Sequence, residues 1–241
     1  MRKGSVSIFI PVYNFNPEKL VKNIKEVGAF AQAHYREFEI VAVDDSSNRE
    51  TAAALEKASK IGGVRVLRYE NGPSRRENLA ASFPQARFGT AVFMDVDLST
   101  ELKYLLELTD KIEEGNDLAI GSRYLGIPAV RGWRRLILSK FYNFTIRFLF
   151  GSKIHDHGCG FKAFRREAIE NLLKELGYDR TGRRGWFWDA ELLIRAQRGG
   201  YTVIEIPVRW VDDAKSTFSA TGELGGILYL ISLWFRLNFM G

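Results

Sequence analysis

Between Val6 and Ser122, short β-branched apolar runs alternate with segments of helical periodicity. That alternation leaves few folds open besides parallel strands joined by crossover helices, so the first half reads as α/β with a mostly parallel sheet. Val6-Ser7-Ile8-Phe9-Ile10 is the first expected strand, and Asn16-Pro17 opens a helix toward Ala33 with a cap followed by proline at the first helical position. Phe38 to Val43 is the second strand and runs into Asp44-Asp45-Ser46-Ser47; Ser47 and Glu50 are spaced as a capping box for a helix reaching about Lys60. Val64 to Tyr69 supplies a third strand, Ala91 to Met94 a fourth that stops at Asp95-Val96-Asp97, and Leu118-Ala119-Ile120 a fifth that stops at Gly121-Ser122-Arg123. Three strands thus end in polar residues. Because ligands of open α/β sheets bind outside the carboxyl ends of the strands, these endings are expected to converge on one crevice.

The chain of 241 residues is 46% hydrophobic and 27% charged, which suits a folded core and excludes disorder and collagen-like fibres. Its formal net charge of +6 favours an anionic partner such as a nucleotide, a phosphorylated substrate, a phospholipid or nucleic acid, without choosing among them. One cysteine, Cys159, excludes an internal disulfide framework and a cysteine-only zinc site, and suits a reducing cytoplasm. Met1-Arg2-Lys3-Gly4-Ser5 leads directly into a strand-like run, so no signal peptide is expected. No apolar run reaches the roughly 20 residues of a membrane span. With neither an internal repeat nor a long linker, the sequence is expected to form one domain over residues 1–241.

Asp95-x-Asp97 sets two carboxylates side by side with no cation in the local sequence. Two oxygen ligands on a short loop can hold Mg²⁺ or Mn²⁺ when a substrate diphosphate completes the coordination; aspartates capping a strand-end turn are the plainer alternative. Asp44-Asp45 at a second strand end shifts the balance, since four carboxylates there call for a metal, a base or ribose hydroxyls. There is no G-x-G-x-x-G after a strand, no Walker lysine loop and no Gly-x-Ser-x-Gly elbow. His155-Asp156-His157 has no third metal ligand of obvious spacing apart from Cys159, and reads better as a surface loop than as a zinc site.

Between Arg131 and Phe150, Arg131, Arg135, Ser139, Asn143 and Arg147 recur every fourth residue beside an apolar series that includes Trp133, Ile137, Phe141, Phe144 and Phe148. A four-residue step drifts about 40° against the 3.6-residue turn, so only Arg135, Ser139 and Asn143 would face one point. The helix either grips an anion with its apolar face in a membrane interface, or packs in the core with solvated arginines. The tail from Gly225 to Met240 is apolar nearly all round, which places it against the domain, in a dimer interface or in lipid.

Pro11-Val12-Tyr13-Asn14, Val43-Asp44-Asp45-Ser46-Ser47, Met94-Asp95-Val96-Asp97-Leu98-Ser99 and Gly121-Ser122-Arg123-Tyr124 together resemble the ordered signature of family-2 glycosyltransferases of the GT-A fold. Arg135-x3-Ser139-x3-Asn143, Asp156-x2-Cys159-Gly160-Phe161-Lys162, Trp188-Asp189-x-Glu191-Leu192 and Glu205-Ile206-Pro207-Val208-x-Trp210 resemble the dolichyl (polyprenyl) phosphate mannose and glucose synthase branch. The likeness runs in order from about residue 6 to 217. It implies inverting, metal-dependent transfer of a hexose from a nucleotide diphosphate sugar to a lipid phosphate.

By that resemblance Pro11, Tyr13, Asp44 and Asp45 hold the nucleoside, with Asp95, Lys215 and Ser216 completing the nucleotide-sugar site. Asp95, Asp97 and Ser99 match the positions that hold Mn²⁺ or Mg²⁺. Arg123, Arg135 and Ser139 match residues that receive the acceptor phosphate, while Asp189 and Glu191 stand at the catalytic position. Residues up to about 124 form the nucleotide-sugar half, and 125–241 the acceptor half with amphipathic helices at about 131–150 and 223–240. Phe15, where relatives have Glu, and Asn71-Gly72-Pro73-Ser74-Arg75-Arg76-Glu77-Asn78, where they have a Lys/Arg-Gly-rich donor segment, depart from the pattern. GDP-mannose and UDP-glucose both stay open as donor. The expected partners are that donor, a polyprenyl or dolichyl phosphate and the cytoplasmic face of a membrane, bound peripherally and with or without a membrane partner protein; no nucleic acid is expected. Two rivals remain: a soluble family-2 transferase with a sugar hydroxyl as acceptor, and a non-catalytic basic module binding membrane or nucleic acid.

Overall fold

A computed structural model of the chain describes residues 2–126, 132–211 and 221–239; the side chains at 134, 135 and 221–228 lie outside this description. Among the described residues seven strands form one sheet: β1 (Lys3–Val12), β2 (Tyr35–Asp45), β3 (Val64–Tyr69), β4 (Thr90–Met94), β5 (Leu118–Ser122), β6 (Phe161–Arg165) and β7 (Val203–Pro207). The helices are α1 (Pro17–His34), α2 (Arg49–Ala58), α3 (Glu77–Ser82), α4 (Lys103–Glu113), α5 (Trp133–Phe150), α6 (Arg166–Leu176), α7 (Trp188–Arg198) and α8 (Thr221–Phe239).

The strand order is β3-β2-β1-β4-β6-β5-β7. β1, β2, β3 and β4 run parallel, as do β5 and β7, while β6 lies antiparallel between β4 and β5. In register, Ile8 stands between Ile40 and Val92, and Phe93 opposite Lys162. Period-two alternation then sorts the core onto two faces. Val6, Ile8, Ile10, Ile40 and Val92 meet α1, α2 and α4, and Phe9, Val41, Phe93, Ile120 and Phe164 meet α3, α6 and α7. Truncating a fully buried ring such as Phe93 to alanine would cost about 3–5 kcal/mol.

The expected mostly parallel α/β sheet is present, and α1 begins at Pro17 with the Asn16 side chain accepting from the Lys19 amide at 2.9 Å. Ser47 does not cap α2. Asn48 does so, accepting from the Thr51 amide at 2.9 Å, while the Ser47 hydroxyl turns back to accept the Asn14 amide and donate to the Val12 carbonyl. β6 and β7 escaped the sequence reading for a physical reason. β6 carries Lys162 in the middle of five residues, and β7 is a short edge strand with Glu205 half-way along it.

Candidate functional site

The carboxyl ends of β1, β2, β4 and β5 open on the same edge of the sheet, which brings the predicted polar endings together. At the end of β4 the Asp95 amide donates to the Gly160 carbonyl at 3.0 Å. A Cβ at position 160 would overlap the Asp95 carboxylate, so only glycine leaves it room. Leu98 takes φ +54°, a left-handed turn that carries the chain from Asp97 to Ser99, and the Asp97 carboxylate accepts the Ser99 amide at 3.0 Å. Val211 donates its amide to the Ser99 carbonyl, and a crevice lined by Asp95, Leu98, Ser99, Gly160 and Trp210 results.

The missing counter-charge arrives from distant parts of the chain. Arg76, just ahead of α3, reaches Asp95 at 3.2 Å and Asp189 at 3.4 Å, and the fully buried Lys162 of β6 donates to the other Asp189 oxygen at 2.7 Å. Burial pushes the Asp95 carboxyl above its usual range, opposed by Arg76 and reinforced by Asp97 and Asp189. Burial likewise works against the Arg76 charge, but Asp95 and Asp189 outweigh it and hold the guanidinium firmly protonated. The sequence reading assigned no role to Arg76 or Lys162. Their signal was the motif Cys159-Gly160-Phe161-Lys162 and the unexplained segment 71–78.

At the end of β2 both aspartates are already engaged. Asp44 accepts the Ser47 amide at 2.9 Å and pairs with Arg68 at 2.7 Å. Asp45 accepts the Ser74 amide and hydroxyl and the Asn78 amide group, at 2.8, 2.8 and 2.6 Å. Asp45 thereby ties down loop 71–78, with Gly72 packed on the Asp45 backbone, while Asp44 braces the turn after β2. Pro11 is the last residue but one of β1, and the Tyr13 ring just beyond the strand is 48% exposed and open to stacking on a flat group.

At the end of β5, Arg123 makes a bidentate pair with Asp156, two contacts of 2.7 Å, over the Trp210 ring at 5.1 Å. Burial disfavours the Asp156 charge, yet Arg123 outweighs this and holds the carboxyl below its usual range. The loop expected at the surface, His155 to His157, is instead largely inside: Asp156 and His157 are fully buried. Its backbone amides are held by Glu205, and the Asn143 carbonyl accepts from the His157 amide at 2.8 Å. Burial lowers the His157 ring to about 3, so it is neutral and structural. Tyr124 donates to Ser139 at 2.6 Å, which docks α5 beside Arg123.

Asp189 and Glu191, though two residues apart, go to different places. Asp189 points at Arg76 and Lys162, whereas Glu191 is fully buried between Arg184 at 3.2 Å and Arg195 at 2.8 Å and accepts from Tyr229 of α8. Lys215 and Ser216 lie outside the described residues, as do Arg131 and the side chain of Arg135.

The donor set fits a hard divalent cation that takes further oxygens from a substrate. Among the described residues no group of three or more His, Cys, Asp or Glu forms a ready-made cage. Asp95 and Asp97 offer two carboxylates, and burial, reinforced by Asp97 and Asp189, disfavours the charged form of Asp95, a cost that a cation beside it would relieve.

A mostly parallel sheet thus carries Asp-x-Asp at the end of its central strand, with the neighbouring strand ends around it, the arrangement that the resemblance to GT-A transferases implies. The chain belongs to Glycosyl transferase family 2, whose profile matches residues 7–173. It is 31% identical over 242 residues to Glycosyltransferase AglD of Haloferax volcanii, covering 97% of this chain and 37% of AglD. It is 32% identical over 215 residues to Polyprenol monophosphomannose synthase of Mycolicibacterium smegmatis, covering 85% of this chain and 77% of that enzyme. Among solved structures, glucosyl-3-phosphoglycerate synthase from Mycobacterium tuberculosis with UDP superposes with a TM-score of 0.67 at 18% identity, over 96% of this chain and 79% of that one. The same enzyme with Mn²⁺, UDP and glucosyl-3-phosphoglycerate gives 0.67 at 18% identity, over 96% and 78%. These superpositions establish the fold.

Proposed function

We propose that this glycosyltransferase moves a hexose from a nucleotide diphosphate sugar, GDP-mannose or UDP-glucose, to a polyprenyl or dolichyl phosphate, with inversion, while lying peripherally on the cytoplasmic face of a membrane. The observation that carries the acceptor is α5. Its inner side chains Ser139 and Asn143 are tied to the Arg123–Asp156 region, while Trp133, Ile137, Phe141, Phe144 and Phe148 on its outer side are 58–77% exposed. On α8, Leu230 and Leu233 pack against Ile146 and Ile194, and Ile231, Phe235 and Phe239 stay exposed. Neighbouring apolar faces of this kind suit an interface of lipid headgroups and chains, next to a site that takes the phosphate of the same lipid. Among the described residues no helix is long and apolar enough to cross a membrane.

In this reading Pro11 and Tyr13 hold the nucleoside against walls organised by Asp44 and Asp45. A divalent cation held by Asp95 and Asp97, with Ser99, would neutralise charge on the departing nucleoside diphosphate. Arg123, Arg135 and Ser139 orient the acceptor phosphate, and Lys215 with Ser216 belongs to the donor side. A phosphate oxygen is already anionic and attacks without a base. That agrees with Asp189, whose oxygens face Lys162 and Arg76 and leave neither turned free toward a hydroxyl. Asp189 accordingly positions the site, and Glu191 supports it through Arg184 and α8. Among the described residues, Asp189 and Glu191 are both paired with cations, which disfavours the rival with a sugar hydroxyl as acceptor.

The test is transfer in vesicles containing dolichyl phosphate, with Mn²⁺ and each donor in turn. The expected product is one inverted glycosyl lipid, lost with EDTA and reduced at least 100-fold by Asp97→Ala. Transfer to free sugars but not to the lipid phosphate, or full activity of Asp97→Ala, would refute the acceptor or the metal reading respectively.

A further inference from the structure

Two consecutive arginines at the head of α3 part company. Arg75 adopts φ +64° and lays its guanidinium over the exposed Trp186 ring at 5.0 Å, whereas Arg76 turns inward and is 12% exposed. Inside, Arg76 stacks on Phe93 at 4.5 Å and bridges Asp95 and Asp189. Its two contacts, 3.2 and 3.4 Å, are long for charge-assisted hydrogen bonds, which settle at about 2.7–2.9 Å, while Lys162 holds Asp189 at 2.7 Å. Lys162 is therefore the fixed partner of Asp189, and Arg76 is the loosely held cation of the cluster.

We propose that Arg76 is the diphosphate-binding cation of this site, covering Asp95 in the free enzyme and yielding that carboxylate to the divalent ion as the donor enters. This rests on the donor and metal reading above. Asp95 and Asp189 face two cations, Arg76 and Lys162, and Asp97 beside Asp95 adds a third carboxylate to the cluster. A divalent ion together with the two negative charges of a sugar-bound diphosphate adds no net charge, so both can enter while the cluster keeps the single excess negative charge it already carries. Arg76 starts within reach of Asp95, the carboxylate that such a diphosphate would share through the ion, and its planar fork suits two phosphate oxygens.

One substitution separates this role from mere support, because it moves two affinities in opposite directions. In Arg76→Gln, Mn²⁺ alone, followed by electron paramagnetic resonance, is expected to bind roughly tenfold more tightly, since its competitor at Asp95 is gone. UDP or GDP at saturating Mn²⁺, measured by calorimetry, is expected to bind roughly tenfold more weakly, and UMP or GMP nearly as well as to the wild type. Both affinities unchanged, or both shifted the same way, overturns the proposal. If Arg76→Gln fails to fold by circular dichroism, Arg76→Lys is read in its place, with smaller shifts of the same opposite signs expected and shifts of like sign counting against it. Asp97→Asn distinguishes the two levels of failure. Mn²⁺ binding indifferent to Asp97→Asn refutes the metal site and this inference together, whereas Mn²⁺ binding that needs Asp97 but ignores Arg76→Gln refutes the inference alone.

Discussion

At the scale of single residues the site depends on a few positions where space or charge leaves one choice. Gly160 is one. A methyl group there meets the Asp95 carboxylate, so Gly160→Ala is expected to displace Asp95, lower transfer by about 100-fold and abolish Mn²⁺ binding, with the denaturation midpoint moved little. Normal Mn²⁺ affinity in that variant would show that Asp95 tolerates the intrusion. Asp44, Asp45, Asp95 and Asp97 were legible in sequence because each pair sits at the end of one apolar run. Their counter-ions were not, because Arg76 and Lys162 come from other elements and meet the carboxylates only in the fold. Glu77, next to Arg76, tests the electrostatics from another side. Burial raises its carboxyl from 4.5 to about 7 against the pull of Arg184, and its side chain is 6% exposed. Between pH 4.5 and 7 the folded chain therefore holds a proton that the unfolded chain has lost, so this group's contribution to stability is full below pH 4.5 and declines as pH rises through 7. The shift corresponds to about 3 kcal/mol. Urea midpoints of wild type and Glu77→Gln, compared at pH 5, 6, 7 and 8, should diverge over this range with the wild type falling more steeply; parallel curves would refute it.

At the scale of elements, α5 shows how much of a helix its pattern reveals. The four-residue recurrence correctly set Ser139 and Asn143 on one side and the aromatic residues on another. It could not say which side the protein covers, because the partners are a buried loop and α8, both far away in sequence. Asn143 accepts from the amide and ring of His157, at 2.8 and 2.9 Å, in a fully buried setting. Asn143→Leu orphans both donors, and a loss of about 2–4 kcal/mol in urea denaturation is expected. Phe141→Ser and Phe148→Ser, on the exposed side, should change stability by no more than about 0.5 kcal/mol while weakening sedimentation with phosphatidylglycerol vesicles several-fold. Vesicle binding that survives both changes would turn the outer face of α5 away from lipid. Element ends were less legible than element types: Ser47 and Asn48 are equally good caps by residue type, and the choice fell to Asn48 because the Ser47 hydroxyl is taken by the β1–α1 loop.

At the scale of the molecule, the two halves expected from sequence are joined through the sheet itself. β6 belongs to the second half, yet it lies between β4 and β5 of the first, pairing Val92 and Ala119 with the same Ala163. That interleaving was hidden in sequence because β6 is five residues long with a lysine at its centre. Its burial there depends on Asp189 of α7, a partner 27 residues away. β5 has only β6 and β7 as neighbours, so residues 1–124 on their own leave it with no strand to pair with and expose Leu118, Ala119 and Ile120, all fully buried in the whole chain. We propose that residues 1–241 fold as one cooperative unit for this reason. The full chain should then unfold in urea through a single transition that superimposes by tryptophan fluorescence, dominated by the second half where Trp133, Trp186, Trp188, Trp210 and Trp234 lie, and by far-UV circular dichroism, which samples both halves. A fragment of residues 1–124 should show no cooperative transition, and β5 amides of the full chain should exchange as slowly as those of β1. Two separated transitions, or a fragment that unfolds cooperatively, would mean that the first half carries its own stability and that β6 is added to a sheet already formed.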